Sequence, residues 1–315
     1  MPRSRILPYL DRLVMPQDYF FEYKVPIPSK NDPSVAVLNP KLIAESETFS
    51  LFEDKKEILC NGCNKYIPFN SFYTGQCHHH SGRYIGYMKM WSCCKDKYQK
   101  LATISPCTVK IGHVNNGNFY LERFQGFDRV IGKSNANNFI IAIDCEMCYT
   151  QFGLELCQVT LVDLDGNILL STLVQPVRPV VDYNTEYSGI EAKDFENSQN
   201  PIETFESVRA KIRNIISPDT YIVGHGLDCD LRILRLFHDR IIDTSYLYPH
   251  SDGLPVRHKL KYLTKKYLKV EIQNQSTGHD STVDARMALK LFKLKILQQE
   301  VKVSNKIPLA LKRCF

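Results

Sequence analysis

The sequence predicts an α/β protein in which a mixed sheet flanked by helices follows a small module rich in cysteine and histidine. Two observations predict this fold class. After residue 138, short apolar runs of strand type alternate with segments that have helical periodicity. Before it, six of the 11 cysteines lie within residues 60–107. A chain of 315 residues has room for one domain of ordinary size and one smaller module.

The segments after residue 138 follow one another in an order that indicates a mixed sheet. FIIAIDCEM, which begins at Phe139, is a short β-branched run typical of a buried strand. The stretch at 155–176 predicts a hairpin with its turn at Asp165 and Gly166. Shorter strands are predicted at 220–225 and 240–243, and helices at 202–216, 228–237, 257–269 and 281–299. A hairpin followed by alternating strands and helices indicates an α/β domain.

Composition divides the chain into five parts. Asn and Gly are frequent in VNNGN and GKSNANN, which indicates a linker. The parts are an N-terminal arm with a helix or two at 1–57, a Cys/His module at 58–114, the linker at 115–137, the α/β domain at 138–300 and a tail at 301–315.

Charge and hydropathy narrow the class of protein. The net charge of +6 and the pI of about 8.6 are compatible with a polyanionic partner. No apolar run reaches about 18 residues, so no membrane span is expected. The first residues lack the apolar segment of a signal peptide, so we expect an intracellular, reducing environment. Cysteines there are metal ligands or free thiols more often than disulfides.

The first group of candidate site residues is Asp144 and Glu146 at the end of the first strand. Residues two apart on a strand point to the same face, so these two carboxylates lie side by side. Neighbouring carboxylates repel each other, and a divalent cation between them removes the repulsion. The alternative is a strand end that reaches solvent with two acids at its tip.

Two further acids follow later strands. Asp230 lies at a predicted strand-to-helix junction, where side chains project into the crevice that holds ligands in α/β sheets. Helix capping is the alternative, and it suits the neighbouring Asp228 better. Asp284 lies in the first turn of the last helix, with His279 five residues before it. Ser281 and Asp284 also have the spacing of a capping box, which is the alternative for Asp284.

In this order and on these elements, the acids and His279 resemble the three motifs of the DEDDh 3′→5′ exonucleases. The strings AIDCEM, DYNTEYSGI, VGHGLDCDL and HDSTVDARMAL resemble more narrowly the RNA exonuclease (Rex) family, over about residues 138–292. The resemblance implies a ribonuclease-H-like fold and an enzyme that releases nucleoside 5′-monophosphates from the 3′ ends of single-stranded RNA.

The resemblance also implies roles for individual residues. Four carboxylates would hold two Mg²⁺ or Mn²⁺ ions, and His279 would be the general base. Met147, which follows the second acid, would pack against the terminal base or ribose; the alternative is that it is plain core. The carried-over carboxylates are Asp144, Glu146, Asp230 and Asp284.

A lysine- and tyrosine-rich segment precedes the last motif. KLKYLTKKYLK, from Lys259, interleaves basic and aromatic side chains, which suits single-stranded RNA. The alternative is a solvated helix face with its tyrosines in the core.

The Cys/His module contains eight candidate zinc ligands, enough for two closed four-coordinate sites. Spacing leaves open which ligands share an ion, and His78 or His79 is an alternative to His80. A module of this size gains much of its folding energy from bound metal. The candidates are Cys60, Cys63, Cys77, His80, Cys93, Cys94, Cys107 and His113.

CNGC, QCHHHSGR and MWSCC resemble the CHORD zinc domain, although Ser81 stands where that pattern has proline. CHORD domains are protein-interaction modules, so the resemblance implies a partner protein or a contact with RNA. Three functions therefore remain: an exoribonuclease, the same chemistry on DNA or short oligonucleotides, and a binding protein that works through the zinc module. The family resemblance implies a nuclear location, with the cytoplasm as alternative.

Overall fold

The computed structural model describes most of the chain. The described residues are 2–38, 57–80, 84–85, 90–91, 93, 106–117, 124–132, 138–199, 201–273 and 278–306. No helix among them is both long and apolar enough to cross a membrane.

Short strands dominate the first half of the described chain, and long strands and helices dominate the second half. The strands are β1 (Ile27–Pro28), β2 (Ala36–Val37), β3 (Glu57–Leu59), β4 (Tyr66–Pro68), β5 (Gln76–His79), β6 (Tyr84–Ile85), β7 (Met90–Trp91), β8 (Thr108–Ile111), β9 (Asp128–Arg129), β10 (Ile140–Thr150), β11 (Gly153–Asp163), β12 (Ile168–Gln175), β13 (Val180–Asp182), β14 (Glu203–Thr204), β15 (Tyr221–Gly224), β16 (Leu236–Phe237) and β17 (Ile241–Asp243). The helices are α1 (Arg3–Leu13), α2 (Phe20–Tyr23), α3 (Phe69–Phe72), α4 (Thr185–Ser188), α5 (Ala192–Glu196), α6 (Phe205–Ile215), α7 (Leu227–Ile233), α8 (Thr244–Leu247), α9 (Leu260–Leu263) and α10 (Ser281–Lys306).

A seven-stranded mixed sheet forms the centre of the α/β domain. Its order is β14-β12-β11-β10-β15-β17, with β13 paired to the end of β10. The strands β10, β11 and β12 are antiparallel, whereas β15 and β17 run parallel to β10. The predicted hairpin is present, and Gly166 in its turn has a φ of +87°. The structure therefore confirms the predicted mixed α/β, ribonuclease-H-like class.

Strand β10 is buried on both faces because helices cover the sheet from both sides. Ile140 and Ala142 face a core formed with α1 and α10. Ile141, Ile143 and Cys145 face the opposite core, formed with α6 and α7. Because both faces of the strand are packed against helices, the acids in its middle are held in place.

The N-terminal segment covers both faces of the domain. Ile6, Leu10 and Leu13 on α1 are buried in the first core. The backbone N–H of Met15 donates to the carbonyl of Ile241 on the outer strand β17 at 2.8 Å. The chain then crosses to the other core, which contains Phe20, Tyr23 and Val25.

One predicted helix has different bounds in the structure. The helix expected at 228–237 ends at Ile233, and Leu236 and Phe237 form β16, which pairs with β9. Arg235 has a φ of +53°, a left-handed conformation that terminates a helix. The apolar spacing that predicted a longer helix came from a buried strand, which short apolar runs do not distinguish from a helix.

The carboxylate of Asp243, at the end of the last strand, accepts three backbone hydrogen bonds from the starts of two helices. It accepts hydrogen bonds from the N–H groups of Gly226 at 3.0 Å, Leu227 at 2.9 Å and Ser245 at 2.7 Å. These groups belong to the first turns of α7 and α8, whose N–H groups have no partner within the helices. Asp243 is 1% exposed, so water cannot replace it.

Replacing Asp243 with Ala should destabilise the protein by about 3 kcal/mol, because up to three buried donors lose their acceptor and each orphaned group costs about 1–3 kcal/mol. Urea unfolding of the full chain measures this. The control is Asp239→Ala, which removes a half-exposed carboxylate paired with Arg129 and should cost less than about 1 kcal/mol. Equal losses in the two variants would contradict the capping role.

Candidate active site and Cys/His groups

Four carboxylates from three elements lie near one another beside the middle of β10, which continues to Thr150 and so does not end at the acids as the sequence predicted. Asp144 and Glu146 lie on that strand, Asp230 on α7 and Asp284 on α10. The charges of the other three acids raise the pKa of Asp144, which places all four within one electrostatic site. Glu146, Asp230 and Asp284 are 4–6% exposed. The structure therefore brings together the acids that the sequence singled out.

Burial raises the pKa values of all four acids, and the charges of other acids of the cluster raise those of Asp144 and Glu146 further. The pKa of Glu146 rises to about 9 because of burial and then of Asp284 and Asp230. Burial raises the pKa of Asp230 to about 7 and that of Asp284 to about 6, and that of Asp144 lies well above its ordinary value. Without a counter-charge, the site at neutral pH favours a partly protonated state.

Two oxygens of this cluster are buried without a hydrogen-bond donor among the described residues. They are Oε1 of Glu146 and Oδ1 of Asp284. A buried acceptor without a partner costs free energy, and several anionic ones together cost more. Carboxylate oxygens are the preferred ligands of Mg²⁺ and Mn²⁺, so this donor set fits hard divalent cations.

His279 is held at the entrance of α10 by the segment DYNTEYSGI. The backbone N–H of His279 donates to the backbone carbonyl of Tyr187 at 2.9 Å. Gly278 has a φ of +85°, and a Cβ there would lie 2.2 Å from the backbone nitrogen of Gly189. Only glycine allows this approach of the two segments. The segment DYNTEYSGI thus holds His279 beside the acids.

The imidazole of His279 faces the carboxylate cluster. Its Nδ1 lies 3.6 Å from Oδ2 of Asp284, and its ring meets the ring of Tyr187 edge-on. Burial lowers the pKa of His279, and the charges of Lys259 and Lys261 lower it further. The ring is therefore neutral at neutral pH and able to accept a proton.

The capping alternatives for the acids are wrong. Oδ1 of Asp280 accepts from the N–H groups of Thr282 and Val283, so Asp280 caps α10 and Asp284 does not. At α7, the first N–H groups bond to Asp243. Asp228 instead forms ion pairs with Arg257 at 2.6 Å and Arg232 at 3.2 Å.

Met147 lines a cleft whose walls include none of the four acids. The cleft has a volume of about 360 Å³ and is also bordered by Cys229, the neighbour of Asp230, and by Arg257. One side of Met147 packs against the second core. Its position is thus compatible with both interpretations drawn from the sequence, a contact with substrate and a core side chain.

Four of the predicted zinc ligands form one compact group. Ligand atoms of Cys60, Cys63, Cys77 and His113 all lie within 4.8 Å of one another. The Sγ atoms of Cys60 and Cys77 are 3.7 Å apart, and Sγ of Cys63 is 3.5 Å from Nδ1 of His113. Burial and the neighbouring thiols raise the pKa of Cys77. A cation would reverse this shift.

A second group contains His80, Cys93 and Cys107, again within 4.8 Å. Nδ1 of His80 is 3.7 Å from Sγ of Cys93, and its ring stacks on Trp91 with centroids 4.6 Å apart. Cys94 lies outside the described residues. Of the three neighbouring histidines, the structure places His80 in the second group, as Cys-x-x-His spacing indicates.

The Cys/His module contacts the α/β domain at two places near the candidate site. The hydroxyl of Tyr73 donates to the carbonyl of Gln151 at the tip of the β10–β11 hairpin. Lys110 pairs with Asp182 of β13 at 2.5 Å, and Gly112 packs against Val181. Strand β13 leads directly into the segment that holds His279.

Residues 141–292 match the family model described as Exonuclease (RNase_T). RNA exonuclease 1 homolog of Homo sapiens is 32% identical over 305 residues, which cover 91% of this chain and 23% of that protein. Putative exonuclease GOR of Homo sapiens is 30% identical, covering 95% of this chain and 44% of that protein. RNA exonuclease 1 of Saccharomyces cerevisiae is 39% identical over 164 residues, 52% of this chain and 29% of that protein.

The chain spans less than half the length of each of these relatives. The matched segment contains all four acids and His279. The comparisons therefore support a domain of the nuclease hydrolase class, similar to exonucleases, at residues 141–292.

Protein freed of divalent cations by dialysis should lose stability as the pH rises from about 5 to about 9. In the unfolded chain these carboxyls ionise near their ordinary values of 3.8 and 4.5, whereas in the folded chain they hold protons to about 6, 7 and 9. Stability is thus greatest at low pH and falls through that window. Melting temperatures at pH 5, 7 and 9 measure it. Glu146→Gln should melt above the unchanged protein at pH 9, and an equal difference at every pH would contradict the repulsion.

Proposed function

We propose that this protein is a 3′→5′ exoribonuclease that releases nucleoside 5′-monophosphates from single-stranded RNA. The observation that carries the proposal is the cluster of four carboxylates, three of them buried and two with an oxygen that accepts no hydrogen bond from the described residues, beside a neutral histidine. Relatives named RNA exonucleases over the matched segment support the choice of RNA.

The four acids are the proposed ligands of two Mg²⁺ or Mn²⁺ ions. They are Asp144, Glu146, Asp230 and Asp284. Cation binding fits their raised pKa values and the oxygens of Glu146 and Asp284 that accept no hydrogen bond from the described residues. When bound, such ions make hydroxide available near neutral pH and neutralise charge on the departing oxygen.

His279 is the proposed general base. Its lowered pKa keeps the ring unprotonated at neutral pH, so it can accept the proton of the attacking water. The bond to the Tyr187 carbonyl and the contact of Gly278 with Gly189 fix where the ring lies. Met147 is the proposed contact for the terminal base or ribose, because it follows Glu146 in the chain and borders an open cleft.

A time course on 5′-labelled single-stranded RNA with Mg²⁺ tests the proposal. We expect a ladder that shortens from the 3′ end, and no shortening of the same RNA with a 3′-phosphate. Asp144→Asn should abolish cleavage because a ligand is lost, and its fold should persist because repulsion is relieved. His279→Ala should slow cleavage by about 10²–10⁴-fold, the usual contribution of a general base.

A DNA of the same sequence decides the substrate class. Equal rates on DNA and RNA would replace the RNA proposal with a general 3′→5′ exonuclease. Wild-type rates in Asp144→Asn would remove the two-cation assignment. If neither nucleic acid is cleaved with either cation, the Cys/His module becomes the working part of the protein.

We also infer that the two Cys/His groups bind structural zinc. The four-ligand group leaves no open position, as is typical of structural sites, and its buried thiols need a cation to ionise. Cys94 is the proposed fourth ligand of the second group, because it follows Cys93. A protein partner at this module and a nuclear location are further proposals from the family resemblance.

Metal analysis of protein purified without chelator should find two zinc ions per chain, from eight ligands at about four each. Cys63→Ser and Cys107→Ser should each remove one ion, since they belong to different groups. Cys229→Ser is the control, because this exposed cysteine lies in neither group and both ions should remain. Loss of both ions in Cys107→Ser would contradict the division into two sites.

A further inference from the structure

One side chain outside the recognised motifs holds an oxygen of Asp284. Nε2 of Gln273 donates to Oδ2 of Asp284 at 2.6 Å. The other oxygen, Oδ1, is buried and accepts no hydrogen bond from the described residues. A carboxylate that is fixed through one oxygen presents the other in a defined direction. The two oxygens of Asp284 therefore have different environments.

Gln273 is itself held firmly in place. The preceding Ile272 is buried in the first core. The ammonium group of Lys261 donates to the carbonyl oxygen of Gln273 at 2.7 Å. Gln273 has a φ of +54°, a left-handed conformation that is uncommon for a residue with a side chain and persists only where the surroundings require it. These contacts aim the amide at the carboxylate.

The competing donor for this oxygen is His279. Its Nδ1 lies 3.6 Å from Oδ2, beyond hydrogen-bond length. Because the amide of Gln273 occupies Oδ2 at a much shorter distance, the imidazole is not tied to the carboxylate and stays available for another proton.

We propose that Gln273 is a positioning residue for the cation site, which orients Asp284 so that Oδ1 is the oxygen presented to the cation. This inference rests on the proposed two-cation nuclease. In this arrangement Lys261 has a role other than RNA binding, because its ammonium group donates to the backbone carbonyl of Gln273. Hydrogen bonds to a ligating carboxylate tune both its direction and its affinity for metal.

The test compares Gln273→Met with the unchanged full-length protein. Methionine has similar length but no donor, so Asp284 is free to turn. We expect Mn²⁺, measured by calorimetry without RNA, to bind about 10–100-fold more weakly, the usual effect of removing such a partner. The Mg²⁺ concentration for half-maximal cleavage should rise similarly, and kcat should recover at saturating Mn²⁺. Lys261→Met should change affinity in the same direction by a smaller factor.

Glu271→Gln is the matched control. It lies two residues away and breaks the exposed pair of Glu271 with Lys265, so cation affinity should be unchanged. A merely structural role for Gln273 would lower the melting temperature without divalent cations and leave the Mn²⁺ affinity per folded molecule as it was.

Unchanged Mn²⁺ affinity in Gln273→Met would overturn the inference, as would a lower kcat that saturating cation does not restore. Failure of the underlying function is a different result. In that case the unchanged protein itself neither binds Mn²⁺ nor cleaves RNA, whereas failure of the inference alone leaves the unchanged protein active and the variant equal to it.

Discussion

Repulsion within a cluster of four carboxylates, three of them buried, is the constraint on which the rest of the structure depends. The fold holds these groups together although burial raises the pKa of each, and although the other acids of the cluster raise the pKa values of Asp144 and Glu146 further. A flexible scaffold would relieve the repulsion by letting the acids separate. The scaffold is rigid because β10 is packed on both faces and because the carboxylate of Asp243 ties the first turns of two helices together. Packing of the core therefore offsets the cost in stability, and the proposed divalent cations would remove the repulsion.

The Cys/His module extends this scaffold at the side where His279 lies. Lys110 and Gly112 of the module contact β13, and β13 continues into the segment whose Tyr187 carbonyl and Gly189 backbone hold the histidine. The module also meets the tip of the hairpin whose first strand carries Asp144 and Glu146. Two contacts thus connect the module to the candidate site. One runs through β13 to the segment that holds His279, and the other meets the hairpin that carries Asp144 and Glu146.

Local pattern predicted the four acids, His279 and the mixed sheet, because each depends on spacing along one element. The i, i+2 pair on a strand and an acid at a strand-to-helix junction need no knowledge of distant contacts. Gln273 was missed because its role depends on an approach to Asp284 that no spacing encodes. The grouping of the zinc ligands was open for the same reason, since Cys63 and His113 are 50 residues apart and meet only through tertiary contacts. The capping roles considered as alternatives for Asp228 and Asp284 are filled by Asp243 and Asp280, because these accept the N–H groups at the two helix starts.

Protons and divalent cations compete for the same oxygens in this site. At pH 7 Glu146, whose pKa is raised to about 9, holds its proton in the cation-free protein, and Asp230, whose pKa is raised to about 7, is partly protonated. Cation binding must displace these protons, so affinity for the cation increases with pH. The lowered pKa of His279 acts in the same direction, because the ring loses its ability to accept a proton only in acid. Both effects weaken activity as the pH falls. Varying the cation concentration separates the two effects. Excess cation offsets protonation of the carboxylates but not protonation of His279. A loss of activity at low pH that persists at saturating Mn²⁺ is therefore caused by His279.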